Sequence, residues 1–222
     1  MKLNLGSGKV LMPKEEGWVN CDKFYSEGVQ KVLDLFRFPW DFPDNSCDQF
    51  MMSHIIEHIP HEPKTSIHAP KEWEYLELRD AVARWNELES FDGFFCWWAE
   101  VWRIARPGAK IRVISPYGMS FEALQDPTHT RYIVPPTLAY LTAQAQESIN
   151  WDYHLPFLFT VKSCMVSLPQ ALSDAGLQFD NDRTNLDNLL MHQWNIGYEL
   201  IADIEVIKCE KCGGKHETEK HE

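Results

Sequence analysis

Apolar positions along this chain fall into short runs of alternating or continuous hydrophobicity, interrupted by one long stretch of helical spacing. Leu3 and Leu5 flank Asn4 just before Gly6-Ser7-Gly8, a pattern that predicts a buried strand ending in a tight turn. Val19 and Cys21 alternate with polar neighbours and predict a second strand ending at Asp22. The run Val29–Leu35 predicts a third short strand with Asp34 at its end. The two-proline segment Phe38–Ser46 reads as a loop, Asp48–Ser53 as a buried strand, and His54–Pro60 as a helical or loop segment. Residues 61–71 read as an inserted loop.

From Glu72 to Ala105 the spacing becomes helical, with Trp73 and Leu76, then Val82, Trp85 and Leu88, then Phe94, Trp98 and Val101. Ser90–Gly93 divides this stretch into two helices, and Arg106-Pro107-Gly108 stops the second. The aromatic stripe suits a helix packed into a core better than a cofactor box. Lys110–Ser115 is the clearest strand, Tyr117–Arg131 a loop, and Pro135-Pro136-Thr137 a helix start with Leu138 and Leu141 behind it. Trp151–Val161 predicts a strand, Ser167–Gly176 a short helix, and Tyr198–Lys208 a late alternating strand. Strands alternating with helices predict an α/β, doubly wound, mostly parallel sheet.

Composition narrows the class. At 222 residues with 44% hydrophobic content and nine Trp, one domain spanning 1–208 can build its own core, leaving a polar tail at 209–222. No window of 18 apolar residues occurs, so no membrane-spanning helix is expected. The first strand starts almost at Met1, which leaves no room for a signal peptide and predicts a cytoplasmic protein. Four of the six cysteines are scattered singly, as reduced thiols would be. A net charge of −12 with no basic run outside the tail lowers the expectation of a nucleic-acid substrate without excluding it.

Three groups of residues carry candidate chemistry. Gly6, Ser7 and Gly8 follow a first strand and read either as an ordinary turn or as the cradle of a nucleotide-like cofactor. Asp22 ends the second strand, where a carboxylate can accept hydrogen bonds from ribose hydroxyls or serve as a helix cap or turn residue. Asp126-Pro127-Thr128-His129-Thr130-Arg131 is a dense polar cluster past a strand end: His129 is the leading candidate base, with Asp126 to orient its imidazole and Arg131 to hold an anionic substrate, or else Asp126 and Arg131 simply stitch the loop together. His54, Glu57 and His58 are further candidates, although a helix-start role suits Glu57-His58 better than catalysis. The tail places Cys209, Cys212, His216 and His221 at spacing C-x2-C-x3-H-x4-H, the donor set of a structural zinc clip or of a charged tail with incidental thiols.

The ordered set Leu3–Gly8, Gly17–Asp22, Asp34-Leu35, Phe42–Asp48, Ser53–Ile59 and Glu100–Lys110 resembles the class I S-adenosylmethionine-dependent methyltransferases, above all the small members whose first strand opens the chain. Asp126–Arg131 also resembles a segment of some members, and the likeness covers residues 1–140. It implies a Rossmann-like sheet of seven strands with one antiparallel strand, for which Tyr198–Lys208 and Trp151–Val161 are candidates. It implies that Gly6, Ser7 and Gly8 lie under the methionine of the cofactor and that Asp22 holds the ribose. Asp34 and Leu35 would face the adenine, and Ser53 and His54 would stand beside the sulfonium. Asn4 stands where the family often has an acidic residue and would accept from the methionine amino group without its charge. The short link after Gly8 leaves the first helix reduced. The implied activity is methyl transfer to a small-molecule or glycan acceptor. Ser53-His54-Ile55-Ile56 lacks the D/N/S-P-P-aromatic signature of amino-methylating DNA enzymes. A nucleic-acid or protein acceptor, or a binder that does not turn over, are the alternatives.

Overall fold

The alternating runs assemble into one seven-stranded mixed sheet. The computed structural model describes residues 1–62, 64–65, 92–148, 157–169, 189–190 and 192–208. Its strands are β1 (Lys2–Leu5), β2 (Trp18–Asp22), β3 (Lys31–Val32), β4 (Arg37–Phe38), β5 (Cys47–Ser53), β6 (Lys64–Thr65), β7 (Ala105–Pro116), β8 (Leu158–Val166) and β9 (Glu199–Ile207). The main sheet has the order β3-β2-β1-β5-β7-β9-β8, and β4 with β6 forms a separate parallel pair. β1 pairs in parallel with β2 and β5, β2 with β3, and β5 with β7. β9 runs against both its neighbours, so Glu199–Ile207 is the reversed strand and β8 points with the rest. The carboxyl ends of β1, β2, β3, β5 and β7 therefore share one edge.

Helix α1 (Gly93–Ile104) matches the second half of the long helical stretch. The Asp92 carboxylate caps it, accepting from the Phe94 N–H at 2.8 Å. Phe94, Trp97, Trp98, Val101 and Ile104 are buried in the core with Leu3, Leu5, Phe50, Met52, Ile111 and Val113 of the sheet. The part of the aromatic stripe that lies in α1 is thus core, as its spacing predicts; Trp73 and Trp85 lie outside the described residues. Short helices α2 (Phe121–Gln125), α3 (Pro135–Ala139) and α4 (Ala143–Ser148) follow β7.

Several boundaries differ from the sequence expectation. Arg106-Pro107-Gly108 ends the helix but already belongs to β7, which starts at Ala105. The third strand shrinks to Lys31–Val32, because Asp34 Oδ1 accepts from the Phe36 N–H at 3.2 Å and the Asp34 carbonyl from the Arg37 N–H at 3.0 Å, curling the chain into a turn. The strand expected at 151–161 starts at Leu158 among the described residues and continues to Val166. Ser167, Leu168 and Pro169 are not helical. The first helix of the 72–90 stretch, the rest of the helix expected at 167–176, and the Cys/His tail lie outside the described residues.

Between β1 and β2 the crossover holds only a three-residue 3-10 turn, Lys14–Glu16, closed by Gly17 at φ 85°. Side chains do the work of the missing helix. Asn20 Oδ1 accepts from the Met12 N–H at 2.8 Å and Asn20 Nδ2 donates to the Met12 carbonyl at 3.0 Å. Asn4 Nδ2 donates to Asn20 Oδ1 at 2.8 Å and to the Val10 carbonyl at 2.9 Å. Both asparagines are buried, and a buried amide of this kind is stable only when its hydrogen bonds are made.

Candidate functional site

The first half of the site is the turn after β1. The Gly6 and Ser7 N–H groups both donate to the Cys21 carbonyl at 2.9 Å, which folds the turn over the end of β2. Gly6 has φ 72°, and a Cβ there would lie 2.8 Å from Ile55 Cδ1 and Cγ1, so only glycine fits. Asp22 accepts from the Gly8 N–H (Oδ2, 2.8 Å) and from the Phe24 N–H (Oδ1, 3.0 Å). It therefore fastens the glycine turn and keeps further lone pairs for a ligand. Ser7 is buried and its Oγ has no hydrogen-bond partner. A buried hydroxyl left unpaired is costly, on the order of 1–3 kcal/mol, and its place in a glycine cradle fits the polar end of an amino acid. The cradle thus suits the methionine part of S-adenosylmethionine.

Two of the neighbouring expectations change in detail. Leu35 is 3% exposed and part of the core, so its backbone alone is left to face a ligand. Asn4 spends both amide hydrogens on Val10 and Asn20, so its role is to hold the turn. Asp34 is half-buried, 3.7 Å from Lys23 Nζ, and Ser53 ends β5 opposite Ile114 of β7.

The second half of the site begins one residue later. His54 has φ 53°, unusual for a residue with a Cβ, and its N–H donates to the Ile114 carbonyl at 2.8 Å. Its Nε2 lies 3.0 Å from Glu199 Oε1 and its Nδ1 3.5 Å from Glu57 Oε1. The pairing with Glu57 raises the His54 pKa above its usual value, burial opposes it, and Glu199 adds to the rise. Glu57 sits in a 3-10 turn, Ile56–His58, is 1% exposed, and neither of its carboxylate oxygens has a hydrogen-bond partner. His54, Glu57, His58, Glu122, Asp126, His129 and Glu199 line a cavity of about 260 Å³ at the ends of β5 and β7.

The loop after α2 is laid over this turn by its backbone. The Thr130 and Arg131 N–H groups both donate to the Glu57 carbonyl, at 2.9 and 3.1 Å. His129 thereby comes beside His58, with ring centroids 4.8 Å apart and edge to face. His129 Nδ1 lies 2.8 Å from the Ala123 carbonyl, so that nitrogen carries the proton and donates, leaving the Nε2 lone pair free.

This geometry decides between the two readings of Asp126 and Arg131 in favour of loop-stitching. The Ala123 carbonyl orients the His129 imidazole. Asp126 stands 3.9 Å from Nε2 and accepts instead from the Thr128 N–H and hydroxyl. Arg131 does not reach the cavity: it donates to the Ile59 and Pro60 carbonyls at 2.7 and 3.0 Å, pairs with Asp92 at 2.6 Å, and lies over the Phe94 ring. Its function is to stitch the loop to α1.

Sequence reasoning missed Asn20, Ile55 and Glu199. A polar residue at an inward position of a short buried strand was the available signal for Asn20. Glu199 is 145 residues from His54 and meets it only through the reversed strand.

No protein-family model and no curated protein matches the sequence. Among solved structures, a SAM-dependent methyltransferase from Archaeoglobus fulgidus superposes with a TM-score of 0.50 at 18% identity, over 92% of this chain and 85% of the other. The chain has the class I S-adenosylmethionine-dependent methyltransferase fold. A second enzyme of this kind, from Mesorhizobium loti, matches at 11% identity with a TM-score of 0.46, over 92% of this chain and 90% of the other. In this methyltransferase fold the cradle and the cavity sit at the carboxyl edge of the sheet, where open α/β sheets bind ligands. No helix among the described residues is long and apolar enough to cross a membrane.

Proposed function

We propose that this chain is an S-adenosylmethionine-dependent methyltransferase acting on a small-molecule or glycan acceptor that carries a hydroxyl or amine. One observation carries the reading: the segment His54–His58 is a wall common to both halves of the site. Ile55 closes on Gly6 in the cradle, while His54, Glu57 and His58 line the cavity. Donor and acceptor would therefore meet across a few residues, which is the positioning on which methyl transfer depends.

When bound, S-adenosylmethionine supplies an electrophilic methyl carbon on a sulfonium. Gly6, Ser7 and Gly8 hold its methionine end, Asp22 its ribose, and Asp34 with the Leu35 backbone its adenine side. Ser53 and His54 stand where the two halves join. The cavity presents acceptor atoms, the Glu57 oxygens and the free His129 Nε2, so it selects a group that can donate a proton. Its carboxylates Glu57, Glu122, Asp126 and Glu199 disfavour a polyanionic backbone by like-charge repulsion. The free thiols of Cys21, Cys47, Cys96 and Cys164 support a reducing, cytoplasmic setting.

Calorimetry with S-adenosylmethionine is the first test, and absence of binding would overturn the reading. Incubation with panels of alcohols, sugars and amines, read by formation of S-adenosylhomocysteine, is the second. Binding without product in any panel would assign the chain to the non-catalytic binders.

A further inference from the structure

Glu57, His58 and His129 each offer one ligand atom, and the three atoms lie within 4.8 Å of one another. The chemistry of the three is unusually uniform. His58 Nδ1 lies 3.2 Å from the Thr128 carbonyl, and His129 Nδ1 lies 2.8 Å from the Ala123 carbonyl. A carbonyl only accepts, so both imidazoles donate from Nδ1 and turn a lone pair on Nε2 outward. The Glu57 carboxylate joins them, nearly fully buried and with no hydrogen-bond donor on either oxygen. Acceptor atoms thus converge on the cavity with no donor hydrogen-bonded to Glu57; His54 Nδ1 stands 3.5 Å off. Such a set is destabilised by mutual repulsion and by a buried carboxylate whose imidazole neighbour, His54, is half-exposed and not hydrogen-bonded to it, and a cation relieves both.

We propose that Glu57, His58 and His129 bind a divalent cation of the manganese, cobalt or zinc class. Two imidazoles and a carboxylate are a ligand set of these metals. Histidines anchored through Nδ1–H to backbone carbonyls are the usual outer support of metal ligands. Ligand distances of about 2.0–2.2 Å in tetrahedral geometry set ligand atoms about 3.4 Å apart, so a shift of about 0.7 Å by each side chain of a pair closes the site. Three protein ligands leave open positions facing the cavity. Resting on the methyltransferase reading above, those positions take acceptor oxygens, which narrows the acceptor to an alcohol or vicinal diol whose hydroxyl the cation orients and acidifies.

The test uses the full chain, stripped with chelator, and Mn²⁺ as probe. Cys209→Ser/Cys212→Ser serves as the background that removes the tail thiols. Free Mn²⁺ is counted by electron paramagnetic resonance, with neither methyl donor nor acceptor present. The expected result is one Mn²⁺ per chain in both backgrounds, weakened at least about tenfold by Glu57→Gln and by His58→Ala. Because Glu57→Gln is buried and could perturb folding, the imidazole proton resonances of the unmodified chain supply the independent readout. Mn²⁺ should broaden two histidines first, and His58→Ala should remove one of that pair. Absence of binding, binding indifferent to both variants, or broadening confined to the tail histidines would each overturn the proposal. S-adenosylmethionine binding without Mn²⁺ binding overturns only this inference. Mn²⁺ binding without S-adenosylmethionine binding overturns only the methyl-donor reading and leaves the cation site standing.

Discussion

Removing the Glu100 carboxylate should cost this fold about a third of its stability. Glu100 and Arg103 lie one turn apart on α1, 5% and 8% exposed. Arg103 uses all five N–H donors. Nε donates to Glu100 Oε2 at 2.9 Å, and Nη2 to Glu100 Oε1 at 2.7 Å and the Trp40 carbonyl at 3.0 Å. Nη1 donates to the Phe42 carbonyl at 3.0 Å and to Asp44. Glu100 Oε1 also accepts from the Trp40 N–H at 2.6 Å. The pair therefore pins the turn that delivers the chain into β5, the strand on whose end the site is built. Glu100→Ala breaks two charge-assisted bonds and orphans the Trp40 N–H. Breaking one partner out of a buried pair costs about 3–5 kcal/mol, against a total of about 5–15 kcal/mol for a domain. For a chain of this size that is a fall in Tm of about 6–20 °C. Glu100→Gln keeps one oxygen for the Trp40 N–H and Arg103 Nη2 but loses the charge and the bond from Arg103 Nε, so it should cost less than the alanine change. Urea unfolding followed by tryptophan fluorescence reads both. A Glu100→Ala chain within about 1 kcal/mol of wild type would refute the account of the turn as held by this pair.

Three further outcomes follow from the same geometry. Gly6→Ala should lower S-adenosylmethionine affinity and cost about 1–2 kcal/mol, since the residue is left-handed and the new Cβ meets Ile55; wild-type affinity by calorimetry would contradict the cradle. Asp22→Asn replaces a carboxylate that accepts from Gly8 and Phe24 and should weaken cofactor binding about tenfold, roughly 1.4 kcal/mol, with a smaller change in Tm; equal losses in both would mean the residue is only a turn anchor. Burial pushes the Cys21 thiol up to about 12. The unfolded chain ionises there first, near pH 9, so this contribution to stability is full below pH 9 and falls by about 1.4 kcal/mol per pH unit up to 12. Cys21→Val should flatten the alkaline limb of the stability curve by that slope, and an unchanged limb would place the ionisation elsewhere.

The order of strands was legible because each short apolar run ends in residues that stop it: Gly6 after β1, Asp22 at the end of β2, Pro116 at the end of β7. What the strands do to one another was not. β9 alternates cleanly along its length, yet alternation carries no direction, and its reversal is what brings Glu199 to His54. The cofactor side of the site was legible because it is local, built from the first 55 residues. The cavity side is not local. Whether Arg131 faces a substrate or a carbonyl depends on where Ile59 and Pro60 lie, and that depends on two N–H groups finding the Glu57 carbonyl. A sequence shows Asp126, His129 and Arg131 close together, and proximity in sequence suggested an oriented base beside a substrate-holding arginine. In space the three point to different partners.

Asn4 shows how far one such partner list decides a residue type. Its position is one where related sequences are expected to carry an acid that would greet the methionine amino group. In this chain the link to β2 is too short for a helix, and the side chain must donate twice, to Val10 and to Asn20. A carboxylate cannot donate. Asn4→Asp would set an ionised group against two oxygens in a site 2% exposed. Two lost hydrogen bonds with their partners orphaned amount to about 2–5 kcal/mol before the buried charge is added. Burial and the facing oxygens would both favour the protonated acid, raising its folded pKa above that of the unfolded chain. The variant should therefore be most stable below about pH 4 and lose stability as pH rises through the raised value. Denaturant unfolding at pH 4 and pH 7, compared with wild type, checks the sign. If Asn4→Asp were as stable as wild type at pH 7 and bound S-adenosylmethionine more tightly, the asparagine would be a weakened cofactor ligand and the side-chain tie in place of the missing helix would be wrong.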